Sequence, residues 1–154
     1  NIYRISTFGG VPSKIIDNSS GKVNFSPDGK KITFFRCNLN QSEGCSLWIA
    51  DANDGKNERK ITTRPIPVRI SDAVFSSDGK SVIFASGQSL NAANEFGLTQ
   101  IDLQTGIESD YISEKFFDII KLAWLPDTDE LLITASKTPN KNFHIWLISK
   151  AQNE

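Results

Sequence analysis

The chain has 154 residues, with 17 Lys and Arg against 18 Asp and Glu, a formal net charge of -1 and 38% hydrophobic residues. That length supports one domain with a real core, and the interspersed charges leave no electrostatic footprint for nucleic acid or an anionic membrane. No apolar run approaches the ~18 residues needed to span a bilayer; the nearest, FFDIIKLAWL, is broken by Asp118 and Lys121. The chain contains no Met and opens on NIYRIS, which already reads as a strand. It is therefore expected to be part of a longer polypeptide, with any targeting segment, anchor or further domain elsewhere.

In chain order, NIYRIS is followed by the turn TFGGVP and the short strand SKIID. VNF is the next strand, with Val23 and Phe25 on one face. SPDG is a turn: Pro27 sets φ, Asp28 caps the backbone and Gly29 takes positive φ. KKITFF returns, which makes the unit a hairpin. A polar loop bounded by Cys37 and Cys45 leads to SLWIAD, the turn ANDGKNE and the strand RKITT. The long connection ITTRPIPVRISD leads to a second hairpin, AVF-SSDG-KSVIFAS, and then to GLTQID, LQTGIE and SDYIS. A third, weaker hairpin is LAWLPDTDELLITAS, where Trp124 takes the place of Phe25 and Phe75 and PDTDE replaces the glycine turn; HIWLIS closes the series. No segment shows a helical period.

Phe25, Phe75 and Trp124 are spaced by 50 and then 49 residues. NIYRIS, SLWIAD, GLTQID and HIWLIS align without gaps, each with an aliphatic residue in second place: Ile2, Leu47, Leu98 and Ile145. Each period is thus four short up-and-down strands, a to d, and four-stranded repeats of about 40–50 residues are the mark of β-propeller blades. The fold expected is all-β: blades of four antiparallel strands in an incomplete, open arc of about three to four blades. Residues 1–18 supply strands c and d of one blade, 19–64 and 65–114 are full blades, and 115–150 supply strands a to c of another. Phe25, Phe75 and Trp124 fall on the innermost strands and are expected to pack between blades. Asp28 and Asp78 read as turn formers. An open arc leaves two apolar blade faces bare, to be covered by further blades in cis or by a second copy.

FSPDGKKITF followed by LWIADANDGKNERKIT resembles the repeat of the TolB-type, WD-repeat-like propellers, in the pattern FSPDGxxIxF…LxxxDxxxGxxxxIT. The resemblance spans nearly the whole chain. It is specific for fold and poor for function, because the same blade serves unrelated proteins. The third copy departs from it, with LPDTDE for SPDG, and Ser149 stands where Asp51 and Asp102 stand in earlier copies.

Chemistry is sparse. The sequence has no G-x-S-x-G elbow, no phosphate loop, no dinucleotide fingerprint and no EF-hand spacing. His144, the single histidine, lies between Phe143 and Ile145 and reads as packing or surface. No residue is assigned a catalytic role, and no metal or cofactor is expected. Lys22, Asp72 and Lys121 each lie three residues before an inner aromatic. They occupy equivalent places near the channel mouth and differ between copies, as binding positions are free to do. Arg64 and Arg69, on the long connection, are candidates to join them. Trp48 and Trp146 hold matching places on c strands and read as inter-blade packing. Cys37 and Cys45 sit where hairpin residues face each other within disulfide reach. A disulfide is favoured over two loop thiols, and it argues for an oxidising, extracytoplasmic (periplasmic or secreted) setting. The N-x-S sequons at Asn18 and Asn40 matter only in a eukaryotic secretory setting.

The resemblance implies a non-enzymatic protein-interaction or sensor module, with a protein or peptide partner, within a larger bacterial envelope or regulatory protein. The alternative is the gating propeller of a serine hydrolase similar to prolyl oligopeptidases and dipeptidyl-peptidases, with the catalytic domain elsewhere.

Overall fold

The computed structural model describes residues 1–38, 44–88, 94–125, 128–140 and 142–149. Among them every regular element is a strand. The first antiparallel sheet pairs β1 (Ile2–Arg4) with β2 (Ser13–Ile16). The second runs in order β3 (Ser20–Phe25), β4 (Lys31–Asn38), β5 (Gly44–Asp51) and β6 (Arg59–Arg64). The third repeats this with β7 (Val68–Phe75), β8 (Ser81–Gln88), β9 (Glu95–Asp102) and β10 (Glu108–Asp110). The fourth holds β11 (Asp118–Trp124), β12 (Glu130–Ser136) and β13 (His144–Ser149). Neighbours within each sheet are antiparallel. The innermost strands converge, since β7 touches β3 on one side and β11 on the other. These are blades stacked side by side in an open arc. Asn40, and Pro126 and Asp127 of the third turn, lie outside the described residues.

The repeated turns show why two stretches of sequence read alike. In SPDG, the Asp28 carboxylate accepts from the Ser26 hydroxyl at 2.7 Å and the Lys30 amide at 3.0 Å, and Gly29 donates to the Ser26 carbonyl at 2.9 Å. In SSDG, Asp78 accepts from the Ser76 hydroxyl at 2.6 Å and the Lys80 amide at 3.0 Å, and Gly79 donates to the Ser76 carbonyl at 2.9 Å. Gly29 and Gly79 both take φ 70°, a region a β-carbon makes costly. Asp28 and Asp78 are turn formers, as their place in the repeat requires. Gly55, in ANDGKNE, has a different reason. Its φ is +72°, and a β-carbon there would lie 1.9 Å from the Ile15 carbonyl oxygen of the preceding blade.

Hydrophobic packing lies between blades. Ile16 of the first sheet meets Ile32, Phe34 and Ala50 of the second. Phe35, Leu47 and Ile49 of the second meet Ile70, Phe75 and Phe84 of the third. Phe96 and Leu98 of the third meet Ile119, Leu122, Leu131 and Ile133 of the fourth. Each of these Ile, Leu and Phe side chains stabilises by about 1.5–3 kcal/mol relative to leaving it in water.

Two expectations need correction. Phe25 does not pack between blades: it is 65% exposed, whereas Phe75 is 3% exposed and Trp124 is partly buried against the last core. Phe25 borders β1 and β2, a sheet of two strands, and no described strand covers it on that side. The last strand of the third blade is also shorter and earlier than SDYIS, spanning Glu108–Asp110. Tyr111 and Ile112 turn in against the core between the third and fourth blades, and mutual backbone hydrogen bonds of Phe96 and Phe116 hold the segment there.

Candidate functional site

The innermost strands are irregular in the same place. Pairing of β7 with β8 slips between Ile70 and Asp72, and pairing of β11 with β12 slips between Ile119 and Lys121. Each slip inserts one extra residue, Ser71 or Ile120. The pairing of β3 with β4 shifts between Ser20 and Asn24, across Gly21 at φ 76°. Bulges re-aim the side chains beside them. Lys22, Asp72 and Lys121 follow these irregularities, and the structure brings the three together.

Asp72 is the hub. Its side chain is fully buried and one of its oxygens lies 3.7 Å from Lys22 Nζ and 3.6 Å from Lys121 Nζ. That oxygen also accepts from the Leu122 amide of the fourth blade at 2.8 Å. The other accepts from the Ala73 amide at 3.0 Å and from Asn24 Nδ2 of the second blade at 3.0 Å. Asn24 also donates to the Ala73 carbonyl at 2.8 Å. One carboxylate thus ties three blades, and its acceptor sites go to N–H donors whose burial would otherwise cost free energy. The ammonium groups remain outside hydrogen-bond distance of it, on side chains 39% and 48% exposed.

Arg69 repeats the device three residues earlier. Its Nη2 lies 3.4 Å from Asp118, a nearly buried carboxylate on β11, and its guanidinium sits over the Phe96 ring at 5.0 Å. Arg64 is placed elsewhere. It ends β6, an outermost strand, and pairs with Glu108 of the neighbouring outermost strand at 2.5 Å while covering the Phe84 ring. Burial opposes ionisation of Glu108, but hydrogen bonds from Arg64 and Thr62 outweigh it and hold the carboxyl below its usual range. The sequence grouped Arg64 with the channel residues because it lies near Arg69 along the chain. The connection between them crosses from the outer edge of one blade to the inner edge of the next.

Cys37 and Cys45 face each other across β4 and β5 and are joined in a disulfide. Trp48 packs into the core between the first and second blades, and Trp146 into that between the third and fourth, edge-on to Phe116 at 5.5 Å. His144 begins β13, edge-on to Trp146 at 6.5 Å. Sequence reasoning missed Asn24 and the role of Asp118. A signal existed for Asp118: it stands 49 residues after Arg69, as Lys121 does after Asp72. Opposite charges at one repeat position of successive blades are placed to pair across the blade boundary.

The same arc occurs in solved structures of other proteins. TolB from Acinetobacter baumannii matches with a TM-score of 0.72 at 20% identity, over 99% of this chain and 35% of that one. A putative TolB from Agrobacterium tumefaciens matches at 0.72 and 16% identity, over 96% of this chain and 52% of its own. The β-propeller domain of the Trilobed protease from Pyrococcus furiosus, described as having an open velcro topology, matches at 0.57 and 17% identity, over 97% and 46%. The chain therefore spans about a third to a half of the first structures it matches. No family model and no curated protein matches it. At these identities the likeness establishes the fold, an arc of β-propeller blades of the kind seen in TolB.

Proposed function

We propose that this arc is a binding module, non-enzymatic, that presents its inner edge to a protein or peptide partner outside the cytoplasm, as part of a larger envelope or regulatory protein. The observation that carries this is the Lys22–Asp72–Lys121 cluster. Its carboxylate is held by two backbone amides and the Asn24 side-chain amide, which makes it a fixed anchor between blades. Its cations keep spare donors. Such a constellation is suited to holding an anionic ligand in place. The Cys37–Cys45 disulfide supports an oxidising compartment, and the likeness to TolB supports an envelope setting. The bare end faces, with Tyr3, Phe25, Ile145 and Leu147 exposed, are covered by further blades of the same polypeptide. Failing those, a second copy covers them, and the isolated chain is then expected to self-associate and bind an apolar dye.

The test is site-specific photocrosslinking in cells, with the crosslinker at position 22 or 121, or at Lys60 of the outermost strand as a control. A discrete adduct from the inner positions alone is expected. No adduct there, or the same adducts from all three, overturns the reading. The second reading, a gate for a peptidase, has its support in the propeller domain of the Trilobed protease. A G-x-S-x-G elbow with later Asp and His in the same reading frame would decide for it.

A further inference from the structure

We propose that the group seated at the inner edge is a carboxylate of an acidic peptide segment, held between the ammonium groups of Lys22 and Lys121; this rests on the partner-binding reading and names its chemistry. The argument is a balance of exposure. Both carboxylates of the inner edge, Asp72 and Asp118, have buried side chains, whereas those of Lys22, Lys121 and Arg69 are 39%, 48% and 48% exposed. What meets an incoming ligand is therefore cationic, although the local charges nearly cancel. The Lys22 ammonium makes no hydrogen bond among the described residues; its ion pair with Asp72 is at 3.7 Å. The Lys121 ammonium makes one, to Asn24 Oδ1 at 3.4 Å. Since an ammonium group has three donors, both keep unused ones.

Geometry adds to this. The two ammonium groups share one Asp72 oxygen, which places them near enough to grip a single anionic group from either side. Asp72 fixes them without using their donors, a preorganisation that removes part of the cost of ordering long side chains on binding. Arg69, stacked on Phe96, offers a second cation three residues along the same strand. A segment with acidic residues at intervals would engage both stations, whereas a lone small anion would engage one.

Fluorescence anisotropy of a labelled deca-glutamate peptide on the full chain tests this, with a labelled deca-glutamine peptide for comparison. Salt-sensitive binding of the glutamate peptide alone is expected. The Lys22→Gln, Lys121→Gln double variant should weaken it by about tenfold or more, as expected for losing hydrogen bonds from charged donors. Lys22→Arg with Lys121→Arg should restore it, and Lys80→Gln, at an exposed turn, should leave it unchanged. Equal weakening by Lys80→Gln, equal binding of deca-glutamine, or displacement by inorganic phosphate as complete as by unlabelled peptide overturns the proposal. If the crosslinked adduct at positions 22 and 121 persists while deca-glutamate does not bind, the acidic assignment fails and the binding module stands. Loss of both removes both.

Discussion

Leu47, Leu98 and Ile145 hold one place on the third strand of three successive blades, yet the first two are fully buried and Ile145 is 74% exposed. The same contrast separates Phe75 from Phe25 on the innermost strands. The strands themselves do not differ in kind. What differs is the adjoining sheet: Leu47 is covered by the third blade and Leu98 by the fourth, whereas no described sheet follows β13. Burial here belongs to the interface between blades, and each blade contributes half of it. The energetics are those of a stack of repeats, with stability coming from nearest-neighbour terms.

The sharpest way to break that comparison is to truncate equivalent side chains. Phe75→Ala should cost about 3–5 kcal/mol, the range for a buried aromatic. Phe25→Ala should stay within about 0.5 kcal/mol, as for an exposed position. Urea denaturation followed by tryptophan fluorescence reads both. Leu98→Ala against Ile145→Ala is the independent repeat, with about 2–5 kcal/mol expected for the first. Comparable midpoint shifts within either pair would mean that the end faces are not bare under the conditions used.

The disulfide offers a control of the opposite kind, because it lies within one blade. Cys37 and Cys45 close a loop of sequence separation 8 between directly opposed residues. Replacing both with Ser should cost about 2–3 kcal/mol on the chain-entropy account. Alkylation before and after reduction, read by mass spectrometry, should modify neither cysteine and then both. A Cys37→Ser, Cys45→Ser variant as stable as the parent would show that the hairpin needs no closure.

The inter-blade hub comes next. Asp72→Asn puts an amide donor beside the Leu122 N–H or the Asn24 amide, leaving a buried donor without an acceptor at a cost of about 1–3 kcal/mol. An unchanged thermal midpoint would show that Asp72 does not tie the blades. This residue also marks where sequence reading runs out. The SPDG and SSDG turns are legible because each is closed by its own residues: serine, aspartate and glycine within four positions. The repeat likewise puts Lys22, Asp72 and Lys121 on equivalent places. It does not reveal that Asp72 is buried, because that follows from the bulge at Ser71 and from Leu122, which lies 50 residues away. Nor does it distinguish Phe25 from Phe75, since their local patterns match and only the neighbouring sheet differs. Arg64 and Arg69 are close in sequence but belong to opposite edges of two blades, a separation visible only once the connection is traced.

The smallest expected effect concerns the turns, and it runs against the contrast between end and interior. The Asp28 turn follows the strand of exposed Phe25 and the Asp78 turn that of buried Phe75, but their partners are the same and local. The Ser26 hydroxyl and then the Lys30 amide hold the Asp28 carboxyl below its usual value, and the Ser76 hydroxyl and Lys80 amide do so for Asp78. Unfolded aspartate titrates near about pH 4. A carboxyl whose pKa is lowered on folding contributes stability above that value and loses it as pH falls through the folded pKa. Both turns should therefore weaken together on acidification below about pH 4. Asp28→Asn and Asp78→Asn should each flatten the acid limb of the stability curve by a similar, small amount. Carboxyl chemical-shift titration reads the two residues directly: both should lie below the ordinary aspartate value. A lowered Asp78 beside an ordinary Asp28 would mean that even the turns depend on their neighbours, and that no part of a blade is set by its own residues alone.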